Sequence, residues 1–258
     1  MEFYKRFDIY WQMIVILVVL AAFGIYKYGI ENTVPQLLLA VSVAAGSDFL
    51  IKNFLFKIKI FPKSAIISGL FIGTLLNIGI AWYVPVTASL FAILTKNFIK
   101  YKKINIFNPA AVGVFMALVF FPNSNVWWAG EQLIPIALLG LWTIYRVKRI
   151  QMVTIFLATY ILISVIYNYS SFSVSTLQNI LTNSTLLFFA FFMLTEHKTN
   201  PFTTKSRMIY APLAAIISFA SLILWPQYNF IFGLVISNML SVLLNKFTLQ
   251  QKFHRQQL

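Results

Sequence analysis

Two Asn-Pro pairs sit at the edges of apolar runs: Asn108-Pro109 within KYKKINIFNPAAVGVFMALVFF and Asn200-Pro201 within MLTEHKTNPFTTKSR. An Asn side chain accepts a hydrogen bond from the first free backbone N–H groups of a helix. Proline suits the first helical position, because it lacks an N–H and its φ is preset. Each pair therefore reads as the start of a helix. A helix that begins inside the lipid boundary leaves polar backbone that must be buried in protein or line a cavity. Its N-terminus attracts phosphate or carboxylate. Ordinary capping is the competing explanation. Both pairs fall near the basic side of the chain.

The acids are Glu2, Asp8, Glu31, Asp48, Glu131 and Glu196. Asp48 comes nearest to the interior of an apolar run. Lys52 follows it by four residues, the spacing of a helical ion pair; cation coupling is the alternative. Glu196 closes a later run. The chain has no paired carboxylates, no nucleophile–base arrangement and no phosphate-binding glycine loop, which sets hydrolases and kinases aside. It has no cysteine, which excludes disulfides, thiolate-held iron–sulfur clusters and covalent c-type haem. Its two histidines, His197 and His254, fall in polar segments, which argues against a haem held by two histidines within the membrane. An electron carrier here is organic or belongs to a partner.

The elements that must position these residues are membrane spans. Of 258 residues 60% are hydrophobic and 10% charged, against roughly 45–50% and about 25% in soluble domains. Apolar segments recur at 11–28, 33–51, 64–80, 82–99, 108–121, 132–145, 152–168, 177–195, 210–225 and 228–245. Every Lys and Arg except Lys27 falls at the two ends or in alternate gaps, among them Lys52–Lys63, Lys96–Lys103, Arg146–Arg149 and Lys198–Arg207. That alternation predicts ten spans with both termini, 1–10 and 246–258, in the cytoplasm. The opposite gaps carry Trp82, Tyr83, Trp127, Trp128, Tyr167, Tyr169, Trp225 and Tyr228, as an outer aromatic belt would. The net charge of +14 is then topology, and nucleic acid is not an expected partner. No signal peptide is expected. Residues 1–258 read as a single polytopic, all-α membrane domain. Ten spans divide as five plus five, and an odd number per half makes the second half inverted. Ala65, Gly69 and Gly73 form a small-residue stripe for close helix packing, with Asn77 continuing the face.

Three stretches carry a resemblance: PKSAIISGLFIGTLLN, then WYVPVTASLFAILTKNFIKYKKINIFNPAAVGV, then FFMLTEHKTNPFTTKSR. In that order they resemble the membrane core shared by the D subunit of the Rnf electron-transport complex and the B subunit of the sodium-translocating NADH:quinone oxidoreductase. Phe107-Asn108-Pro109-Ala110 matches outright. Thr195, Glu196, Thr199 and Pro201 match the later run, with Glu for the usual Asp. The resemblance implies a ten-helix, urea-channel-like inverted repeat with broken helices. It also implies electron transfer coupled to Na⁺ or H⁺ movement. Family members carry FMN on a Thr of a Ser-Gly-Ala-Thr motif. That motif does not occur here, so covalent FMN is not expected. A non-covalent flavin, FMN or riboflavin, is the cofactor the resemblance leaves. Asn108, Thr195, Glu196 and Asn200 are its candidate polar contacts, and no metal ligand is expected.

The expected partners are membrane lipid and either other electron-transport subunits or a soluble flavin reductase at the cytoplasmic face. The expected location is the plasma (inner) membrane. The alternatives are a non-redox transporter or channel for a small solute or cation, and a scaffold docking cytoplasmic proteins on its basic face.

Overall fold

The computed structural model describes residues 8–101, 104–121, 127–171, 173–196, 198–226 and 229–255. The first helices are α1 (Ile9–Tyr28), α2 (Ile30–Leu50, continued by a π-helical turn Ile51–Leu55), α3 (Lys63–Leu75) and α4 (Tyr83–Phe98). A two-stranded hairpin, β1 (Lys100–Tyr101) and β2 (Ile104–Asn105), pairs Lys100 with Asn105. Then come α5 (Pro109–Phe120), a 3₁₀ turn Trp128–Gly130, α6 (Leu133–Arg146), α7 (Ile150–Tyr167) and α8 (Val174–Leu181). The last are α9 (Ser184–Phe188, continued by a π-helical turn Phe189–Met193), α10 (Thr204–Leu224) and α11 (Asn229–Arg255). The protein is an all-α, multi-pass membrane protein. Among the described residues, five stretches are long and apolar enough to span alone: Ile9–Tyr28, Ile30–Leu55, Ile150–Tyr167, Thr204–Leu224 and Phe230–Phe247. Lys63–Leu75, Pro109–Phe120 and Leu133–Arg146 are shorter apolar helices.

The chain divides into two compact units, residues 1–99 with 109–139, and residues 100–108 with 140–258. In the first, Asp8 caps α1 by accepting from Tyr10 N at 3.1 Å. Gly29, at φ +87°, turns the chain directly into α2, a conformation glycine adopts freely. α3 lies against α2 through the small-residue stripe. A Cβ on Gly69 would stand 2.6 Å from Val41 Cα, and one on Gly73 2.9 Å from Leu37 Cα. Gly113 of α5 likewise abuts the Ala88 carbonyl of α4. These contacts bury little side-chain volume but let helix backbones touch, which is how membrane helices associate.

The second unit is built on α7, α9, α10 and α11. Its centre is aromatic: Phe189 stacks on Phe230 at 5.0 Å, and Tyr160 meets Phe219 at 5.6 Å and Phe230 at 5.7 Å. Gly140 of α6 makes room for the Phe191 ring.

Four sequence-based expectations need correction. α3 stops at Leu75 rather than 80, because Leu76 turns extended (ψ 155°); Asn77 therefore lies beyond the helix, where its Oδ1 accepts from Ile78 N at 2.8 Å. The segment 177–195 is not one helix. Asn183 accepts from Leu186 N at 2.9 Å and restarts the chain as α9. Asn200-Pro201 does not start a helix. Thr203 does, accepting from Ser206 N at 3.1 Å. Trp127 and Trp128 are buried rather than belted, since the Trp128 ring fills the space beside Gly24. Lys5, Arg6, Lys102, Lys103, His197 and Tyr228, the loop 122–126, and the side chain of His254 lie outside the described residues.

Candidate functional site

In the first unit the polar groups answer one another. The end of α3 is buried, with Thr74, Leu75 and Leu76 all sealed from solvent, so its last carbonyls need donors. Gln36 Nε2 donates to Gly73 O at 3.0 Å and Trp128 Nε1 to the same oxygen at 2.9 Å. Trp127 N donates to Leu75 O at 3.2 Å. To place that N–H, Trp127 takes a left-handed conformation, φ +53°.

Asp48 is fully buried. Lys52 Nζ donates to its Oδ2 at 2.7 Å, Asn97 Nδ2 donates to its Oδ1 at 2.9 Å, and Lys96 Nζ stands 3.2 Å from the same oxygen. The anticipated ion pair with Lys52 is present, and α4 adds two groups that sequence spacing had not linked to it. Lys96 and Asn97 are themselves buried. A buried carboxylate is tolerable only when its charge and lone pairs are both met, as here. The cluster ties α2 to α4. Lys27, the basic residue that departs from the topology pattern, is paired at 2.5 Å with Glu131, which also accepts from Tyr28.

The second unit holds Thr195, Glu196 and Asn200 in one loop between the π-turn of α9 and α10. Leu194 N reaches back five residues to Phe189 O at 2.9 Å, so the helix widens just before this loop. Such π-turns recur at functional sites. Thr195 is buried and donates to Phe191 O at 2.6 Å, so toward a ligand it can only accept. Glu196 N and Thr199 N close successive turns on Met193 O and Glu196 O. Arg207 holds the far end through Pro201 O at 2.8 Å and Phe202 O at 2.5 Å; Phe202 N donates to Asn245 Oδ1 at 2.9 Å. Asn200 is 1% exposed, and neither its Nδ2 nor its Oδ1 has a partner. Asn108 is also buried. It stands immediately before Pro109, the first residue of α5, in the expected capping position.

Three more buried groups of this unit have unpartnered polar atoms: Tyr210 Oη and Ser218 Oγ on α10, and both amide atoms of Asn238 on α11. None of the three stood out in the sequence. A lone polar residue inside an apolar run was the available signal. Among the described residues no group of three or more His, Cys, Asp or Glu could hold a metal.

A membrane protein of short and long apolar helices, in two units, is the class these features define. The family described as NQR2, RnfD, RnfE matches the chain twice, over residues 5–134 and 126–254. The chain belongs to that family, whose members are membrane subunits of Rnf- and Nqr-type complexes. The first match covers α1 to α5 and the second α6 to α11; two successive matches to one family fit the five-plus-five repeat, with the short α8 and α9 together in the place of one span. No curated protein is significantly similar to the chain.

Proposed function

We propose that this chain is an electron-transport subunit of an Rnf/Nqr-type complex, coupling electron transfer to Na⁺ or H⁺ movement. The observation that carries the proposal is the doubled family match, with the Asn108 and Thr195–Pro201 motifs at helix ends, Asn108, Thr195, Thr199 and Asn200 buried and Glu196 half-buried. The cofactor proposed is a non-covalent flavin, FMN or riboflavin. Asn200 fits it: a buried amide with a free donor and a free acceptor complements the mixed edge of a flavin ring. Asn108, Thr195, Glu196 and Asn200 would hold it, Thr195 as acceptor. When bound, a flavin supplies one- and two-electron transfer. The chain's own residues bury the ring edge and fix its orientation. The proposed partners are other subunits of the complex or a soluble flavin reductase at the cytoplasmic face. The proposed setting is the plasma membrane, with both termini cytoplasmic.

The test is the visible absorption spectrum of the detergent-purified protein, followed by acid precipitation. Flavin released into the supernatant is the expected result. Flavin in the pellet would mean covalent attachment, and a colourless protein expressed with ample flavin would sink the redox reading. The alternative is a non-redox transporter or channel. What favours it is the presence of three buried, uncharged groups, Tyr210, Ser218 and Asn238, whose unpartnered polar atoms could meet a small solute. Solute flux in liposomes by a colourless protein would establish it.

A further inference from the structure

We propose that residues 56–61, between α2 and α3, form an interfacial segment that binds acidic phospholipid headgroups through Lys57 and Lys59 while Ile58 and Ile60 enter the acyl boundary. The sequence there runs FKIKIF, basic and apolar residues alternating. α2 with its π-helical turn, Ile30–Leu55, is 26 residues long. At about 1.5 Å per residue it covers roughly 39 Å, more than the ~30 Å hydrocarbon core, so its end reaches the headgroup level. Residues 57–62 continue from it with neither helix nor strand. The segment is held at both ends and open between them. Before it, Ile58 N donates back to Lys52 O at 2.8 Å, and the Phe56 ring lies 6.2 Å from that of Phe98 on α4. After it, Phe61 stacks on Trp11 of α1 at 6.0 Å, and Lys63 donates to Asp8 at 2.7 Å. Between these ties Lys57, Ile58, Lys59 and Ile60 are all exposed, Ile60 to 59%.

Three observations point to a lipid surface. Exposed apolar residues on the spans face acyl chains, but Ile58 and Ile60 lie beyond the spans, where positive-inside topology calls only for charge. The charge is also uncompensated. The described acids of this unit are engaged elsewhere, Asp8 with Lys63, Asp48 with Lys52 and Lys96, and Glu131 with Lys27, while Glu31 lies at the far end of α2. Lys57 and Lys59 have no ion pair among the described residues. Finally, Lys57 takes a left-handed conformation, φ +54°, where the helix ends. Glycine usually fills that place. A lysine there keeps a positive charge at the surface against the preference of its backbone. Basic residues interleaved with apolar ones suit an anionic interface: the apolar part is buried, and each lysine gains from the negative surface potential.

The proposal does not depend on the electron-transport reading. The experiment uses the full-length protein in neutral detergent. Native mass spectrometry compares retention of phosphatidylglycerol with that of zwitterionic phosphatidylcholine. The expected result is a phosphatidylglycerol preference that falls about tenfold or more when Lys57→Gly and Lys59→Gln are combined. It falls as well when Ile58→Ser and Ile60→Ser are combined, although both charges remain. Lys148→Gln with Lys205→Gln removes the same charge from exposed positions of the second unit and lowers the preference far less. Lys57→Gly separates binding from folding, because glycine adopts φ +54° freely: its melting temperature equals or exceeds the parent's. If the serine pair lowers the melting temperature, the lysine pair serves alone. Absence of any phosphatidylglycerol preference would leave the segment to a protein partner and overturn the lipid assignment. A preference that survives the lysine pair, or that falls as far in the second-unit pair, overturns it too.

Discussion

The two units handle buried polarity in opposite ways. In the first, Asp48 is met by Lys52, Lys96 and Asn97, Glu131 by Lys27 and Tyr28, and the carbonyls at the end of α3 by Gln36, Trp127 and Trp128. In the second, Asn200, Tyr210, Ser218 and Asn238 are buried with polar atoms unpartnered. A buried unpaired group costs about 1–3 kcal/mol. A scaffold removes such costs, whereas a binding site keeps them for its ligand. The proposed function reads this contrast as support in the first unit and recognition in the second. Gln36 Oε1, buried without a partner in the first unit, runs against the contrast.

Substitutions can break this contrast. Asp48→Ala leaves Lys52 and Lys96 facing each other in a dry site and should cost about 3–5 kcal/mol, read as a lowered melting temperature in detergent. A neutral outcome would mean that water reaches the cluster. Gly69→Val pushes a side chain into the backbone of Val41 and should cost about 1–3 kcal/mol by the same measurement. Trp128→Phe keeps an aromatic ring but loses part of the buried indole and its donor to Gly73 O, for about 1–3 kcal/mol. In the second unit the sign should reverse: Asn238→Leu discards unpartnered polar atoms and should be neutral or stabilising.

The smallest effect is on pH. Burial pushes Glu131 up from its ordinary value of 4.5, but the hydrogen bonds from Lys27 and Tyr28 outweigh this and leave it lowered. A carboxylate lowered by folding stabilises above its unfolded value, and the contribution is lost as pH falls through the lowered one. The melting temperature should therefore drop slightly under acid. Glu131→Gln should remove that component.

How far the fold could be read in advance follows from the same physics. Apolar length and the alternation of basic gaps located most of the segments, because the bilayer imposes both, but they ran 64–80 past the end of α3 and joined α8 to α9 in 177–195. The Asn108-Pro109 start was legible because a cap acts within one turn. Asn200-Pro201 has the same letters, but Thr203 caps α10 instead, and tertiary contacts decided between them. Lys96 counts with the basic gap although the segment 82–99 contains it, because nothing local shows that α4 carries it against Asp48 of α2. Trp128 read as belt for a similar reason: its hydrogen bond to Gly73 spans 55 residues. The partnerless groups of the second unit were invisible, since lacking a partner is a property of packing and not of composition.

The most direct test of the division is Asn200→Ala, measured for both flavin content and melting temperature beside Asn97→Ala. Asn108→Ala should follow Asn200→Ala in flavin content, and Ser170→Ala should change neither quantity. The account predicts that Asn200→Ala loses flavin while melting as the parent does, and that Asn97→Ala keeps flavin and melts lower. Full flavin with a lowered melting temperature in Asn200→Ala would contradict it, and would make that loop one more piece of scaffold.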